Sequence, residues 1–265
     1  MILPHTVKTF EDFIKVDIYT GDSDPVYWAI ARARKEWGQE WATRFCVAMC
    51  AYYHTGTACK AADLEGEAFW RYLKEIYPGA PRASERRHFR GEKGLKALTA
   101  MQNFCLNPSV WFDRFPPTYI GVRQQCEREL QQFGPYFQLK VCDYITCLGR
   151  TITSWVGLER NLPTEPADAI RHLCPEDPPN IAFLKLVGSV RGKGIMAPPY
   201  FDHEVGPSEV ETSLCGWLTS KYRGNWFGAD IQDKRDALKG HGATAEKFMT
   251  FMPPVPNKYL FKLEL

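Results

Sequence analysis

Three side chains near the middle of the chain have the types and spacing for acid–base chemistry. In residues 133–144, FGPYFQLKVCDY, Tyr136, Lys140 and Asp143 recur at i, i+4 and i+7, so on a helix they share one face. A carboxylate there can take a proton, an ammonium can hold that carboxylate ionised, and a phenol can orient either. Gly134 followed by Pro135 predicts a helix start, because Pro suits the first helical position. The helix is predicted to run towards Leu148, with Phe137, Val141, Ile145 and Leu148 packing inward and the polar trio presented on the neighbouring face. A surface Lys–Asp pair at i, i+3 is worth only about 0.3 kcal/mol. A functional reading therefore needs support from other elements.

Composition sets the frame for those elements. The chain has 265 residues, 45% hydrophobic and 14% aromatic, enough for one large domain or two small ones with a real core. Its eight Trp, twelve Tyr and sixteen Phe suit core packing first and base stacking second. Lys and Arg number 33 against 31 Asp and Glu, so whole-chain charge argues for no polyanionic partner and only local clustering can. Such a cluster lies at 81–98, PRASERRHFRGEKGLKAL. There Arg82, Arg86, Arg87, Arg90, Lys93 and Lys96 face only Glu85 and Glu92, among glycines that imply a loop. Arg forks, ammonium charge and close backbone approach are what a phosphate-rich partner requires.

The nine cysteines form no CxxC pair and read as buried thiols of an intracellular protein. Cys46 and Cys50 lie one turn apart with His54 and Cys59 nearby, but no second close ligand pair accompanies them, so no metal site is expected. The first residues lack a basic region followed by an apolar run, and no stretch has the length of a membrane span. A soluble protein is expected.

The elements expected to position the trio are almost all helical. Residues 22–24 precede a helix from Pro25 to Trp37 that buries Tyr27, Trp28 and Ile30. A second helix, from Trp41 to about His54, carries Arg44 beside a broad apolar face, with Gly56 marking its end and Thr55 or Thr57 capping the next. Glu67 to Tyr77 and 121–133 read as amphipathic and charged helices. Prolines punctuate 161–180, and IAFLKLVGSV is helix or strand. Residues 207–222 form a helix capped by Ser208, with Glu211 three positions on as the partner of a capping box. A charged helix follows over 230–242, and the last residues are extended. The expectation is a mainly α, single multi-helix domain over 1–265 with little or no β, divisible into sub-lobes 1–160 and 181–265. The spacing in VGSVRGKG does not fit a phosphate-binding loop.

Three segments, RFCVAMCAYYHTG, FGPYFQLKVCDY and VETSLCGWLTSKY, together resemble the signature blocks of a bacteriophage family. They contain Arg44 and Phe45, then Gly134, Lys140 and Asp143, then Glu211, Leu214, Cys215, Lys221 and Tyr222. The family comprises the alpha-glutamyl/putrescinyl-thymine pyrophosphorylases, or amino acid:DNA transferases, related to the helical domain of 5-hydroxymethyluracil DNA kinases. The resemblance spans most of the chain. It implies an all-helical fold distantly similar to helix-hairpin-helix DNA glycosylases. The implied reaction, in the cytoplasm of an infected bacterial host, replaces pyrophosphate on 5-(pyrophosphoryloxymethyl)uracil in DNA by the amine of an amino acid or polyamine. This chain has no kinase domain, and YYHTGTACKAAD stands where the kinase-associated members carry an acidic run, which favours the transferase branch.

Under that resemblance the residues acquire roles. The partners are double-stranded DNA carrying a modified uracil and a free amino acid. Asp143 and Glu211 are candidate bases for the incoming ammonium, with Lys140 beside Asp143. Arg44, His54 and Tyr136 are candidate substrate contacts, Arg44 as a carboxylate fork. Arg82, Arg86, Arg87, Arg90 and Lys93 are candidate contacts to DNA or pyrophosphate. No cofactor is expected, with Mg²⁺ assistance of the leaving group an open alternative. The competing readings are a base-excising glycosylase of related fold and a non-catalytic DNA-binding module.

Overall fold

A computed structural model describes residues 6–81, 89 and 91–264. Thirteen α-helices lie among them: α1 (Phe10–Thr20), α2 (Pro25–Trp37), α3 (Gln39–Tyr52), α4 (Thr55–Ala62), α5 (Gly66–Ile76), α6 (Gly91–Phe104), α7 (Tyr119–Glu129), α8 (Pro135–Cys147), α9 (Thr164–Leu173), α10 (Pro179–Val190), α11 (Pro207–Arg223), α12 (Ala229–Asp236) and α13 (Ala243–Phe251). Two 3-10 segments, Pro108–Arg114 and Leu158–Arg160, complete the helical set. The only sheet among the described residues pairs β1 (Thr6–Val7) in parallel with β2 (Lys262–Leu263). The mainly α class therefore holds, and IAFLKLVGSV is helix.

The chain forms two compact units, neither of them a continuous stretch. One comprises the described residues of 29–154 and 234–251; the other comprises those of 1–28, 155–233 and 252–265. The proline-punctuated residues 161–180 lie inside the second of these and not at a boundary.

In the 29–154 unit, α3 packs against α4, α8 and the 3-10 segment Pro108–Arg114. It is buried from Trp41 to Tyr52 without a break, and such all-round burial marks a central helix. Aromatic side chains supply much of its packing. Trp41 stacks on Phe45 with ring centroids 5.5 Å apart, and Phe45 on Phe248 of α13 at 4.6 Å. The large aromatic content is thus used in the core, as area burial favours.

In the other unit, α11 packs against α1 and α9. Residues 10–20 form α1. Thr9 caps it, accepting from the Asp12 N–H at 3.1 Å, while the Asp12 carboxylate accepts from the Thr9 N–H at 3.3 Å. Trp28 is half-buried rather than buried. Asp22, expected to start α2, instead accepts from the Ile231 N–H at 3.1 Å in the first turn of α12.

Two glycines behave differently from expectation for steric reasons. Gly56 does not end α3. Tyr53 does so in the left-handed conformation, φ 51°, and Gly56 sits in the first turn of α4, where a Cβ would run into the Ala237 carbonyl and the His241 ring. Gly94 lies within α6, not in a loop, and a Cβ there would meet the Tyr77 hydroxyl.

Candidate active site

The expected trio is not presented on an outer face. α8 is buried from Phe137 through Ile145, and the Lys140 Nζ lies 3.3 Å from an Asp143 carboxylate oxygen, with the two side chains 4% and 2% exposed. This is a buried ion pair, not the surface pair that i, i+3 spacing suggests. The energetics change accordingly, because removing one partner of a desolvated pair costs far more than it does at a surface. Tyr136, one turn earlier and half-exposed, has its ring 5.6 Å from Lys140 Nζ.

Tyr136 leads to the loop between α3 and α4. Its hydroxyl is 2.9 Å from that of Tyr53, and it is the donor of that bond. The two rings stand edge to face at 5.9 Å. Tyr53 holds a left-handed backbone that costs a non-glycine residue about 1 kcal/mol or more, and this conformation both ends α3 and sets the phenol against Tyr136. Lys234 Nζ sits 4.4 Å from the centroid of the Tyr53 ring, within cation–π range. Neither Tyr53 nor Lys234 stands out in the sequence: nothing local marks Lys234, and Tyr53 is hidden inside a helical periodicity.

His54 follows Tyr53 and caps α4, not Thr55 or Thr57. Its Nδ1 accepts from the Thr57 N–H at 3.1 Å, which leaves the ring proton of neutral His54 on Nε2. Burial, and then the positive charge of His241 and Lys234, lower the His54 pKa to about 4, so the ring is neutral at pH 7. The His241 ring lies 5.2 Å away, and its pKa is lowered by burial and by Lys60.

Arg44 is buried and bonded within the fold. Its Nε donates to the Ala62 carbonyl at 2.9 Å and its Nη1 to Ser109 Oγ at 2.9 Å, with Glu40 and Glu65 carboxylates at 3.8 and 3.7 Å. The guanidinium thus ties α3 to the end of α4 and to the 3-10 segment Pro108–Arg114.

Glu211 belongs to the other unit, on α11, and is 1% exposed. It is not a capping residue. The Gly206 N–H donates to Glu209 at 2.8 Å, so Glu209 closes the helix start, ahead of the position the sequence suggests. Further along α11, Ser213 donates to Asp17 at 2.8 Å.

Of the basic element, Arg82, Arg86, Arg87 and Arg90 lie outside the described residues. Lys93 and Lys96 are exposed on α6, and an open groove of about 410 Å³ along that helix is lined by Lys96, Glu92, Thr99 and Asn103. Seven of the nine cysteines are buried and all are free thiols; burial pushes Cys46, Cys59 and Cys142 well above the ordinary thiol range, so they are poor nucleophiles. Among the described residues no group of three or more His, Cys, Asp or Glu is placed to hold a metal ion, and no helix is long and apolar enough to cross a membrane.

Known proteins give the class as transferases. The chain is 31% identical over 257 residues to the putrescinyltransferase of Delftia phage PhiW-14, covering 89% of this chain and 80% of that one. It is 25% identical over 295 residues to the glycinyltransferase of Pseudomonas phage PaMx11, covering 93% and 97%. No protein-family model matches. The chain belongs to the phage amino acid/polyamine transferase family, enzymes that transfer amine groups.

Proposed function

We propose that this protein joins the amine of a small donor to 5-(pyrophosphoryloxymethyl)uracil in DNA with loss of pyrophosphate. The amine nitrogen forms a bond to the exocyclic methylene carbon, and the bond from that carbon to the pyrophosphate oxygen breaks. Pyrophosphate leaves with the bonding pair. The donor arrives largely as an ammonium, with a reference pKa near ~8, and must lose one proton before attack.

The observation that carries the reading is the buried Lys140–Asp143 pair at 3.3 Å. Asp143 takes the ammonium's proton, Lys140 is its ion-pair partner, and Tyr136 orients the donor. Exclusion of water suits a reaction in which water would compete with the amine as nucleophile. Glu211 is the second candidate base, and Glu211→Gln distinguishes it from Asp143→Asn. Arg82, Arg86, Arg87, Arg90 and Lys93 receive the pyrophosphate as its charge develops. Arg44 serves by fixing the α3–α4 frame that carries Tyr53 and His54. The uracil 5-substituent faces the major groove, but a water-excluding site favours a base turned out of the duplex.

The test is incubation with pyrophosphorylated DNA and single amines, followed by digestion to nucleosides and mass spectrometry. A nucleoside heavier by the donor is expected, and no mass gain with any amine overturns the proposal. Abasic sites would identify a glycosylase instead. Salt-sensitive DNA binding without any product would identify a non-catalytic module.

A further inference from the structure

We infer that the amine donor carries a free carboxylate, held where Lys234, His54 and His241 converge beside Tyr53, so that the donor is an amino acid and not a diamine. The inference rests on the reaction proposed above and narrows its substrate.

Lys234 is half-buried, its ammonium 4.4 Å from the centroid of the Tyr53 ring. Among the described residues no carboxylate lies within ion-pair distance of it. Asp236, two positions on, pairs with Lys239, and Asp63 at the far end of α4 accepts from Trp41 at 2.8 Å and from Thr244 at 2.7 Å. Fixed structure brings Lys234 to this place: Thr55 Oγ1 donates to the Lys234 carbonyl at 3.2 Å, and the absence of a side chain on Gly56 lets residues 237–241 close against α4. That closure sets the His241 ring 5.2 Å from His54 and buries the His241 Nδ1 with no hydrogen-bond partner among the described residues.

A half-buried ammonium with no carboxylate beside it, and a buried imidazole nitrogen with no hydrogen-bond partner, carry a desolvation cost that an anion joining them offsets. The depressed pKa of His54 is the same fact seen from the ring: burial and positive neighbours act on it and no carboxylate opposes them. A carboxylate here gains the Lys234 ammonium and the His54 Nε2–H as donors. A diamine is a dication at neutral pH, and its second ammonium would meet Lys234 with like charge. The acidic partner that a distal ammonium requires is not among these groups.

The experiment offers glycine, glutamate and putrescine, singly and in competition, to the full chain with pyrophosphorylated DNA. An amino acid is expected to be the preferred donor. Lys234→Met is expected to raise the amino-acid KM roughly tenfold, the loss of one charge-assisted contact, with kcat changed by less than about threefold. Lys234→Glu is expected to shift preference towards putrescine. Preference of the unaltered enzyme for putrescine, or an amino-acid KM unmoved in Lys234→Met, overturns this inference and leaves the proposed reaction standing. Transfer of no amine overturns the reaction. In that event NMR titration of the histidine rings still decides the site: glycine or glutamate should raise the His54 pKa and putrescine should not, and an unmoved His54 with the amino acids refutes carboxylate binding here.

Discussion

Burial of the Lys140–Asp143 pair changes what a substitution at Asp143 measures. On an exposed face Asp143→Asn would remove the base and leave the fold alone. With the two side chains 4% and 2% exposed, the same change deprives a desolvated ammonium of its carboxylate, a loss of about 3 kcal/mol or more. Urea unfolding of Asp143→Asn is expected to show that loss alongside lost activity. The double variant Lys140→Met, Asp143→Leu separates the two effects: stability should recover much of that loss, because volume is kept and the two charges are removed together, while transfer stays abolished. Transfer activity in the stable double variant would remove Asp143 from the chemistry. The sequence places these residues on one helical face correctly, and the i, i+3 spacing holds. It cannot show that α3 and α7 pack against α8, because a polar trio at helical spacing looks the same whether water or protein lies opposite.

Among the helices, the starts of α2 and α8 are legible to the residue because they are set by local chemistry: proline at the first position in both, and Gly134 before α8. α1 escapes a reading of the sequence because its cap is a Thr–Asp pair with no proline or glycine to announce it. The α3–α4 junction misleads for a related reason. A glycine after an apolar helix normally signals a left-handed terminus, yet here Tyr53 takes that conformation and Gly56 serves close packing. Ala in a helix is favoured over Gly by about 1 kcal/mol, so Gly56→Ala would stabilise an isolated α4. The new Cβ must instead displace the backbone carbonyl of Ala237, and overpacking of that kind costs about 1–3 kcal/mol. Net destabilisation is expected, read as a lower Tm, together with a displaced His241. Gly188 in α10 is the control. A Cβ added there would meet no neighbouring atom within 4 Å, so Gly188→Ala should stabilise by about 0.5–1 kcal/mol. Equal effects at the two positions would contradict the packing argument.

At the scale of the whole chain, the two units carry buried titratable groups of opposite sign, and acid should act on them in opposite directions. In the 29–154 and 234–251 unit, His54 has its pKa lowered from 6.5 to about 4, first by burial. Above pH 6.5 neither the folded nor the unfolded form is protonated there, and the stability is intact. As the pH falls towards 4 the unfolded chain takes up a proton that the fold refuses, so stability is lost across that window. In the other unit, burial raises Asp22 from 3.8 to about 6, against hydrogen bonds from the backbone of Gly228, Ile231 and Asp230, and raises Asp17 well above the carboxylate range. Those groups bind protons more tightly folded than unfolded, so their contribution is complete below pH 3.8 and is lost as the pH rises through 6. Moving from pH 7 to pH 5 should therefore weaken amide protection around α4 and strengthen it around α1 and the start of α12. Native-state hydrogen exchange, corrected for the intrinsic pH dependence of the rate, reads both in one sample. Asp22→Asn should flatten the response at the start of α12 and leave that of α4 unchanged. A uniform response of both units to acid would mean that these buried groups do not govern their local stability.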